Sequence, residues 1–102
     1  MSKAVRASGF IHFKKFDLRY DFPEQGILIR QLRKAYPEDT FERERNNHLV
    51  VRVDMFGQNR IDYEPLEKIL KANKGLLGWE VAINEWVETD GGLYFDPEED
   101  EV

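Results

Sequence analysis

Hydrophobic and polar residues alternate near the start of the chain, and a period of two is typical of a β-strand with one buried face. Phe10 to Phe13 begin this pattern, and every second residue from Phe16 to Phe22 continues it after a change of phase at Lys14-Lys15. The pattern predicts one long strand with a β-bulge at the two lysines. Two strands joined by a tight turn are the alternative.

Apolar residues recur at helical spacing in two later segments. The first predicted helix covers residues 24–35, because Pro23 favours the start of a helix and the residue before Pro37 is pushed out of helical geometry. Asp62 is the candidate cap of the second helix, and Gly75 is its predicted left-handed stop. The buried stripe of this second helix is expected to contain three residues, Leu66, Ile69 and Leu70.

A hairpin is predicted between the helices, with arms at 40–45 and 48–55 and a type I′ turn at Asn46-Asn47. Its first arm is charged on both faces, as in an exposed edge strand, whereas the second arm is apolar and predicts a central strand.

Alternation after the second helix predicts another strand, with one tryptophan on each side of it. Trp79 is in phase with Val81 and Ile83 and is expected in the core, while Trp86 falls on the opposite, exposed face. Gly91-Gly92 then predicts a turn into a short last strand.

The predicted order is β-α-β-β-α-β with a possible extra C-terminal hairpin strand. This order indicates the α+β class and a ferredoxin-like two-layer sandwich, in which two helices cover one face of an antiparallel sheet. The expected organisation is a flexible N-terminus at 1–8, a single domain at 9–95 and an acidic disordered tail at 96–102.

Composition narrows the class of protein. With 102 residues, 13% aromatic residues and no cysteine, the chain fits one folded domain without disulfides, thiol catalysis or cysteine-bound metals. No apolar run is long enough to span a bilayer, and the first residues lack the apolar region of a secretion signal. These features predict a cytoplasmic protein that does not bind membranes.

Charge is distributed very unevenly along the chain. The net charge of −5 divides into +5 over residues 1–36, −1 over 37–79 and −9 over 80–102, where no basic residue occurs. Blocks of like charge commonly serve as interaction segments or as solubilising tails.

Residues with catalytic or metal-binding chemistry are sparse. His12 and His48 lack the spacing of metal ligands, and the two serines, Ser2 and Ser8, stand outside any nucleophile motif. The segment from Gly75 to Gly78 lacks the pattern of a phosphate-binding loop. The sequence therefore predicts no enzyme activity, no metal site and no cofactor.

The charge layout favours a small, acidic, non-enzymatic binding module, either a regulator or an inhibitor, that engages a basic protein surface. Imitation of nucleic-acid charge is one form that such a module takes. Trp86 is the candidate anchor, since tryptophan is enriched among the residues that dominate binding energies. The predicted partner-binding residues are this tryptophan and the acids of the C-terminal third: Glu80, Glu85, Trp86, Glu88, Asp90, Asp96, Glu98, Glu99, Asp100 and Glu101.

Two other functions are consistent with the sequence. A nucleic-acid-binding accessory domain would use Phe10, Phe13 and Tyr20 for stacking and a strip of basic residues for phosphates. The strip contains Lys14, Lys15, Arg19, Arg30, Arg33 and Lys34. A self-assembling structural subunit, such as a homodimer, would pair sheet edges or the faces that carry Trp86.

The segment from Ala35 to Asp39, followed by the Asn46-Asn47 hairpin and a second helix, resembles the DNA-damage-inducible protein I family. This resemblance implies a small acidic modulator that binds a recombinase filament. The acids of the present chain are concentrated in the last strand and tail instead of on the second helix, so no residue role is taken from that family.

Overall fold

The computed structural model describes residues 4–15, 18–86 and 91–98, and only the backbone of residues 18–22. Its elements, in chain order, are β1 (Ala4–His12), α1 (Leu18–Ala35), β2 (Thr40–Glu44), β3 (Asn47–Gln58), α2 (Glu64–Ala72), a 3₁₀ turn (Lys74–Leu76), β4 (Val81–Glu85) and β5 (Gly92–Phe95). Neither described helix has a stretch long and apolar enough to cross a membrane.

The five strands form one antiparallel sheet in the order β2-β3-β1-β4-β5. The predicted α+β class is therefore confirmed, with two helices and a five-stranded antiparallel sheet. β1 is the central strand, and each helix connects two strands that have one other strand between them.

The two faces of the sheet have different environments because alternate side chains point to opposite sides of a strand. One face, here called the closed face, packs against α1 and α2 and forms the core; the other, the open face, is not covered by either helix. The strands contribute to the core Val5, Ala7, Ile11, Phe41, Val51, Val53, Met55, Val81, Ile83, Leu93 and Phe95. The helices contribute Leu28, Ile29, Leu32, Leu66 and Leu70.

The N-terminal third differs most from the sequence-based expectation. β1 begins at Ala4 and buries Val5 and Ala7, so the prediction of a flexible segment is wrong for residues 4–8. Residues 18–22 are helical, so the strand predicted there is wrong, and Phe16 and Asp17 lie outside the described residues. Residues 4–12 form the central strand of the sheet. Residues 18–22 instead form the beginning of α1, which continues through Pro23.

The predicted hairpin is present, but its turn is of a different kind. β2 is an edge strand and β3 lies inside the sheet, as expected. The described residues with positive φ are Asn59 and Gly92, so the type I′ turn predicted at Asn46-Asn47 is wrong. A register shift at the end of β2 and a hydrogen bond from the Leu49 N–H to the Asn47 Oδ1 (2.9 Å) shape the turn instead.

The second helix agrees with its predicted stripe and differs at its end. Leu66 and Leu70 are fully buried, and the Asp62 Oδ1 accepts a hydrogen bond from the Glu64 N–H (3.0 Å) in the first turn. Gly75 lies in the 3₁₀ turn without a positive φ, so its predicted role as a left-handed stop is wrong. The helix is instead followed directly by this tighter turn.

The two tryptophans of the last predicted strand are both exposed. β4 begins at Val81, and Trp79 lies in the preceding bend with 70% of its surface exposed, so its predicted core position is wrong. Trp86 is exposed as expected. Leu93 and Phe95 do not stack over Trp86, because their side chains are buried on the closed face.

Candidate functional site

The open face is rich in exposed aromatic side chains. Four large aromatic residues point outward from three strands and from the end of β4, with exposed fractions of 45% for Phe10, 52% for Phe56, 64% for Trp86 and 60% for Tyr94. Isolated exposed apolar residues are ordinary, but several on one uncovered face indicate a contact surface.

Strand register aligns these residues in rows across the sheet. Phe10 on β1 lies opposite Arg52 on β3 and opposite Ala82 on β4, which in turn pairs with Tyr94 on β5. The row therefore contains two aromatic residues, with the small Ala82 between them, and one arginine. Phe10 also contacts His12 on its own strand, with the ring centroids 6.4 Å apart.

A second row crosses the end of the sheet nearest Trp86. Arg6 pairs with Phe56 and its guanidinium carbon lies 5.9 Å from the Phe56 ring centroid, within the range of a cation–π contact. The backbone N–H of Trp86 donates a hydrogen bond to the Arg6 carbonyl oxygen (3.1 Å). This bond continues the β1–β4 pairing beyond the last residue of β4. These three residues also line a cleft of about 290 Å³, here called the Trp86 cleft.

Charges on the open face have both signs. Arg52 lies 3.4 Å from the Glu42 carboxylate and 3.6 Å from the Asp54 carboxylate. Asp39 lines the Trp86 cleft, and its Oδ1 accepts a hydrogen bond from the Phe56 N–H (3.0 Å). Burial raises the pKa of the Asp39 carboxyl above its ordinary value, although the Phe56 N–H acts in the opposite direction. Among the described residues, the open face is therefore amphipathic and has no excess of positive charge.

The acids of the C-terminal third occupy two different places. Glu80, Asp96 and Glu98 line a cleft of about 460 Å³ together with Trp79, here called the acidic cleft. Glu85 instead accepts a hydrogen bond from the Tyr63 hydroxyl (2.7 Å). The remaining predicted acids lie outside the described residues: Glu88, Asp90, Glu99, Asp100 and Glu101.

The predicted basic strip is not on the open face. Lys14 and Lys15 are exposed just after β1, and a second group, Arg30, Arg33 and Lys34, is exposed on α1 in the helix layer. The side chain of Arg19 is outside the described part. Of the predicted stacking residues, Phe13 is buried, Tyr20 has an undescribed side chain, and only Phe10 is on the open face.

Sequence reasoning missed Phe56 and Tyr94 as surface residues. Tyr94 alternates with the buried Leu93 and Phe95, so its outward position was readable from the pattern. Phe56 follows Met55, the last residue of the predicted arm, and only the longer strand β3 reveals its outward position.

No group of three or more metal-ligating side chains comes together within residues 4–15, 23–86 and 91–98. Comparisons of the chain with protein-family models, curated proteins and solved structures find no match.

Proposed function

We propose that this protein is a non-enzymatic binding module, a regulator or inhibitor, that engages a basic protein partner through its open face. The observation that carries the proposal is the set of four exposed aromatic side chains on a sheet face that the helices leave uncovered. Tryptophan, tyrosine and arginine are the residue types most enriched at binding hot spots, and Trp86, Tyr94 and Arg6 supply all three.

Trp86 is the proposed anchor. It is the most exposed of the four aromatic residues on the open face, and it borders the Trp86 cleft, into which a partner side chain could insert. An aromatic residue beside such a cleft combines a large contact area with little loss of side-chain entropy.

The acidic cleft supports a basic partner. Glu80, Asp96 and Glu98 place three carboxylates around the exposed Trp79, close to the end of β4 opposite that of Trp86. Complementary charge around an apolar contact raises the association rate and rejects acidic proteins. A cytoplasmic location and imitation of nucleic-acid charge belong to this proposal as its further predictions.

We also infer that the strand order is the ferredoxin-like arrangement with β5 added beside β4. In that arrangement both helices lie on one side of the sheet, so the opposite face stays available for a partner. The crossovers over one intervening strand support this interpretation.

Single-stranded nucleic acid is the second candidate partner, favoured by one observation. Phe10 and Phe56 stand on the neighbouring strands β1 and β3, with Arg6 and Arg52 opposite them, and bases stack on aromatic residues in this kind of setting. The ion pairs of Arg52 with acids and the net charge of −5 favour the protein partner.

Affinity capture from native lysate, with and without nuclease, tests the proposal. The wild type and Ile27→Ala, which removes an exposed apolar residue of α1, are expected to retain the same basic protein. Trp86→Ala is expected to lose it, and Glu80→Lys is expected to weaken it more than Glu24→Lys does. Equal capture by all variants would contradict the proposal.

The second candidate has a separate test. In a Trp79→Phe background, the fluorescence of Trp86 is measured during titration with oligo-dT and oligo-U at two salt concentrations. Quenching that weakens with salt and is lost in Phe56→Ala would assign the open face to nucleic acid. A dimer in light scattering that Trp86→Ala dissolves would assign the face to self-assembly.

A further inference from the structure

The Trp86 cleft combines aromatic and acidic side chains. Two aromatic residues of the open face border it, Phe56 and Trp86, with 52% and 64% of their surfaces exposed. Its described lining also contains three carboxylates and one cation, which belong to Glu38, Asp39, Asp54 and Arg6. Aromatic walls beside carboxylates suit a positively charged group, because the ring faces and the acids both attract it.

Contacts within the chain bring the carboxylates close to the Phe56 ring and to each other. The Asp39 Oδ1 accepts a hydrogen bond from the Phe56 N–H (3.0 Å), and Asp54 lies two residues before Phe56 on β3. Burial raises the pKa of the Asp39 carboxyl, and the negative charge of the neighbouring Glu38 raises it as well. Like charges therefore already repel each other at this edge of the cleft, and a cation beside them would offset that repulsion.

The described cations of the open face neutralise only part of this negative charge. Arg52 lies 3.6 Å from the Asp54 carboxylate, whereas Glu38 and Asp39 have no ion-pair partner in the described part of the chain. Residues 87–90, which follow Trp86 in the sequence, contain two further acids and no basic residue. Two carboxylates of the cleft therefore remain available to a cation from outside.

The position of Arg6 shows which kind of cation the aromatic wall accepts. Its guanidinium carbon lies 5.9 Å from the Phe56 ring centroid. Among the described side chains, no cation occupies the equivalent place over Trp86, the aromatic residue type that attracts cations most strongly. The second wall of the cleft is thus open to the same contact.

We propose that the Trp86 cleft receives an arginine side chain of the basic partner, an inference that rests on the proposed function. A guanidinium is planar, so it stacks on an aromatic ring and donates paired hydrogen bonds to a carboxylate, whereas lysine supplies only the charge. The cleft volume of about 290 Å³ lies just below the range of small-molecule pockets, which favours a single side chain as the occupant.

Titration with n-butylguanidinium, n-butylammonium and neutral n-butylurea at constant ionic strength, followed by NMR of the amide and indole N–H groups, tests this inference. Saturable shifts are expected at Glu38, Asp39, Phe56 and Trp86, with tighter binding of n-butylguanidinium than of n-butylammonium and no binding of n-butylurea. Glu38→Gln is expected to weaken n-butylguanidinium binding about threefold, and Glu38→Gln combined with Asp39→Asn about tenfold, because each change removes one negative charge.

Glu24→Gln is the matched control, because Glu24 is also an exposed glutamate directly after a proline and does not line the cleft. It is expected to leave binding unchanged. Equal binding by Glu24→Gln and Glu38→Gln, or equal binding of n-butylurea, would overturn the inference. Shifts centred on Trp79 would also overturn it, and tighter binding of n-butylammonium would replace the arginine with a lysine.

Capture from lysate distinguishes a failure of this inference from a failure of the proposed function. In that experiment Glu38→Gln is expected to retain less of the basic partner than Glu24→Gln does. If n-butylguanidinium does not bind but capture still depends on Trp86, the inference is overturned and the proposed function stands. Capture that is equal for all variants would contradict both.

Discussion

Phe41 and Phe56 lie on neighbouring strands of one sheet, yet the first is 1% exposed and the second is 52% exposed. Phe41 faces the helices and packs beside Tyr36, with the ring centroids 5.9 Å apart. Phe56 faces solvent beside Arg6. The same residue type therefore serves the core on the closed face and remains available for contact on the open face, so composition alone does not reveal what an aromatic residue does.

The largest expected difference between the faces comes from truncating these two rings. Phe41→Ala is expected to lower the free energy of unfolding by about 3–5 kcal/mol, because it leaves a cavity in the core. Phe56→Ala is expected to cost less than about 1 kcal/mol, since its ring is half in water already. Urea unfolding of both variants measures the difference, and similar losses would show that the open face is not a free surface.

Two glycines extend the comparison to the backbone. A Cβ at Gly9, in the middle of β1, would overlap the Ala82 carbonyl oxygen of the neighbouring strand, whereas a Cβ at Gly26 in α1 would meet no atom. Gly9→Ala is expected to lower the free energy of unfolding by about 1–3 kcal/mol. Gly26→Ala is expected to raise it by up to about 1 kcal/mol, through the higher helix propensity of alanine. Thermal unfolding of the pair checks both signs, and a stabilised Gly9→Ala would contradict the close strand packing.

Tyr63 tests the polar rim of the closed face. Burial, followed by the hydrogen bond to Glu85, raises the pKa of the Tyr63 hydroxyl well above its ordinary value. The stabilisation is therefore complete below the unfolded pKa of about 10 and is lost as the pH rises towards the folded value.

Tyr63→Phe is expected to lower the free energy of unfolding by about 1 kcal/mol at neutral pH. The difference from the wild type should shrink above about pH 10, as the tyrosine of the unfolded chain ionises. Urea unfolding between neutral and alkaline pH measures this trend, and a difference that grows above that pH would contradict the sign.

The smallest expected effect concerns Asp39 on the rim of the open face. Because the pKa of Asp39 is raised in the folded state, its contribution to stability is greatest below the unfolded pKa of about 4 and is lost as the pH rises through the folded value. Asp39→Asn keeps an oxygen for the Phe56 N–H and is expected to stabilise the protein by less than about 0.5 kcal/mol at pH 7.

This gain should disappear in acid, where the carboxyl is protonated in both states. Unfolding measured at pH 7 and near pH 3 checks the expectation, with Asp62→Asn, just before α2, as the control carboxylate. A gain that persists in acid would assign the effect to packing instead of charge.

Agreement between sequence and structure was best where one local pattern sufficed. The apolar run of β3, the buried Leu66 and Leu70 of α2 and the short last strand β5 each follow from spacing within a dozen residues. The exposure of Trp86 also followed from the sequence, because alternate side chains of a strand point to opposite faces and Trp86 falls on the face opposite Val81 and Ile83.

The wrong predictions concern segments whose structure depends on distant parts of the chain. Residues 18–22 alternate like a strand, but the central strand is formed by residues 4–12, and the alternating segment joins α1. Trp79 matches the phase of Val81, but the chain bends before β4 begins and exposes the indole. The spacing of apolar residues within a short segment predicts neither the competition for the central strand nor the bend before β4.

Which residues are able to face the same way follows from the sequence, because alternation in a strand and spacing in a helix are properties of the local backbone. Which of them become neighbours depends on how distant segments pack in the fold. Phe10, Phe56 and Trp86 come from segments far apart in the chain, and they share the open face because β1 pairs with both β3 and β4 in one fixed register. Arg30, Arg33 and Arg43 likewise share a cavity because β2 lies beside α1, an arrangement set by long-range packing and hydrogen bonds that no local pattern encodes.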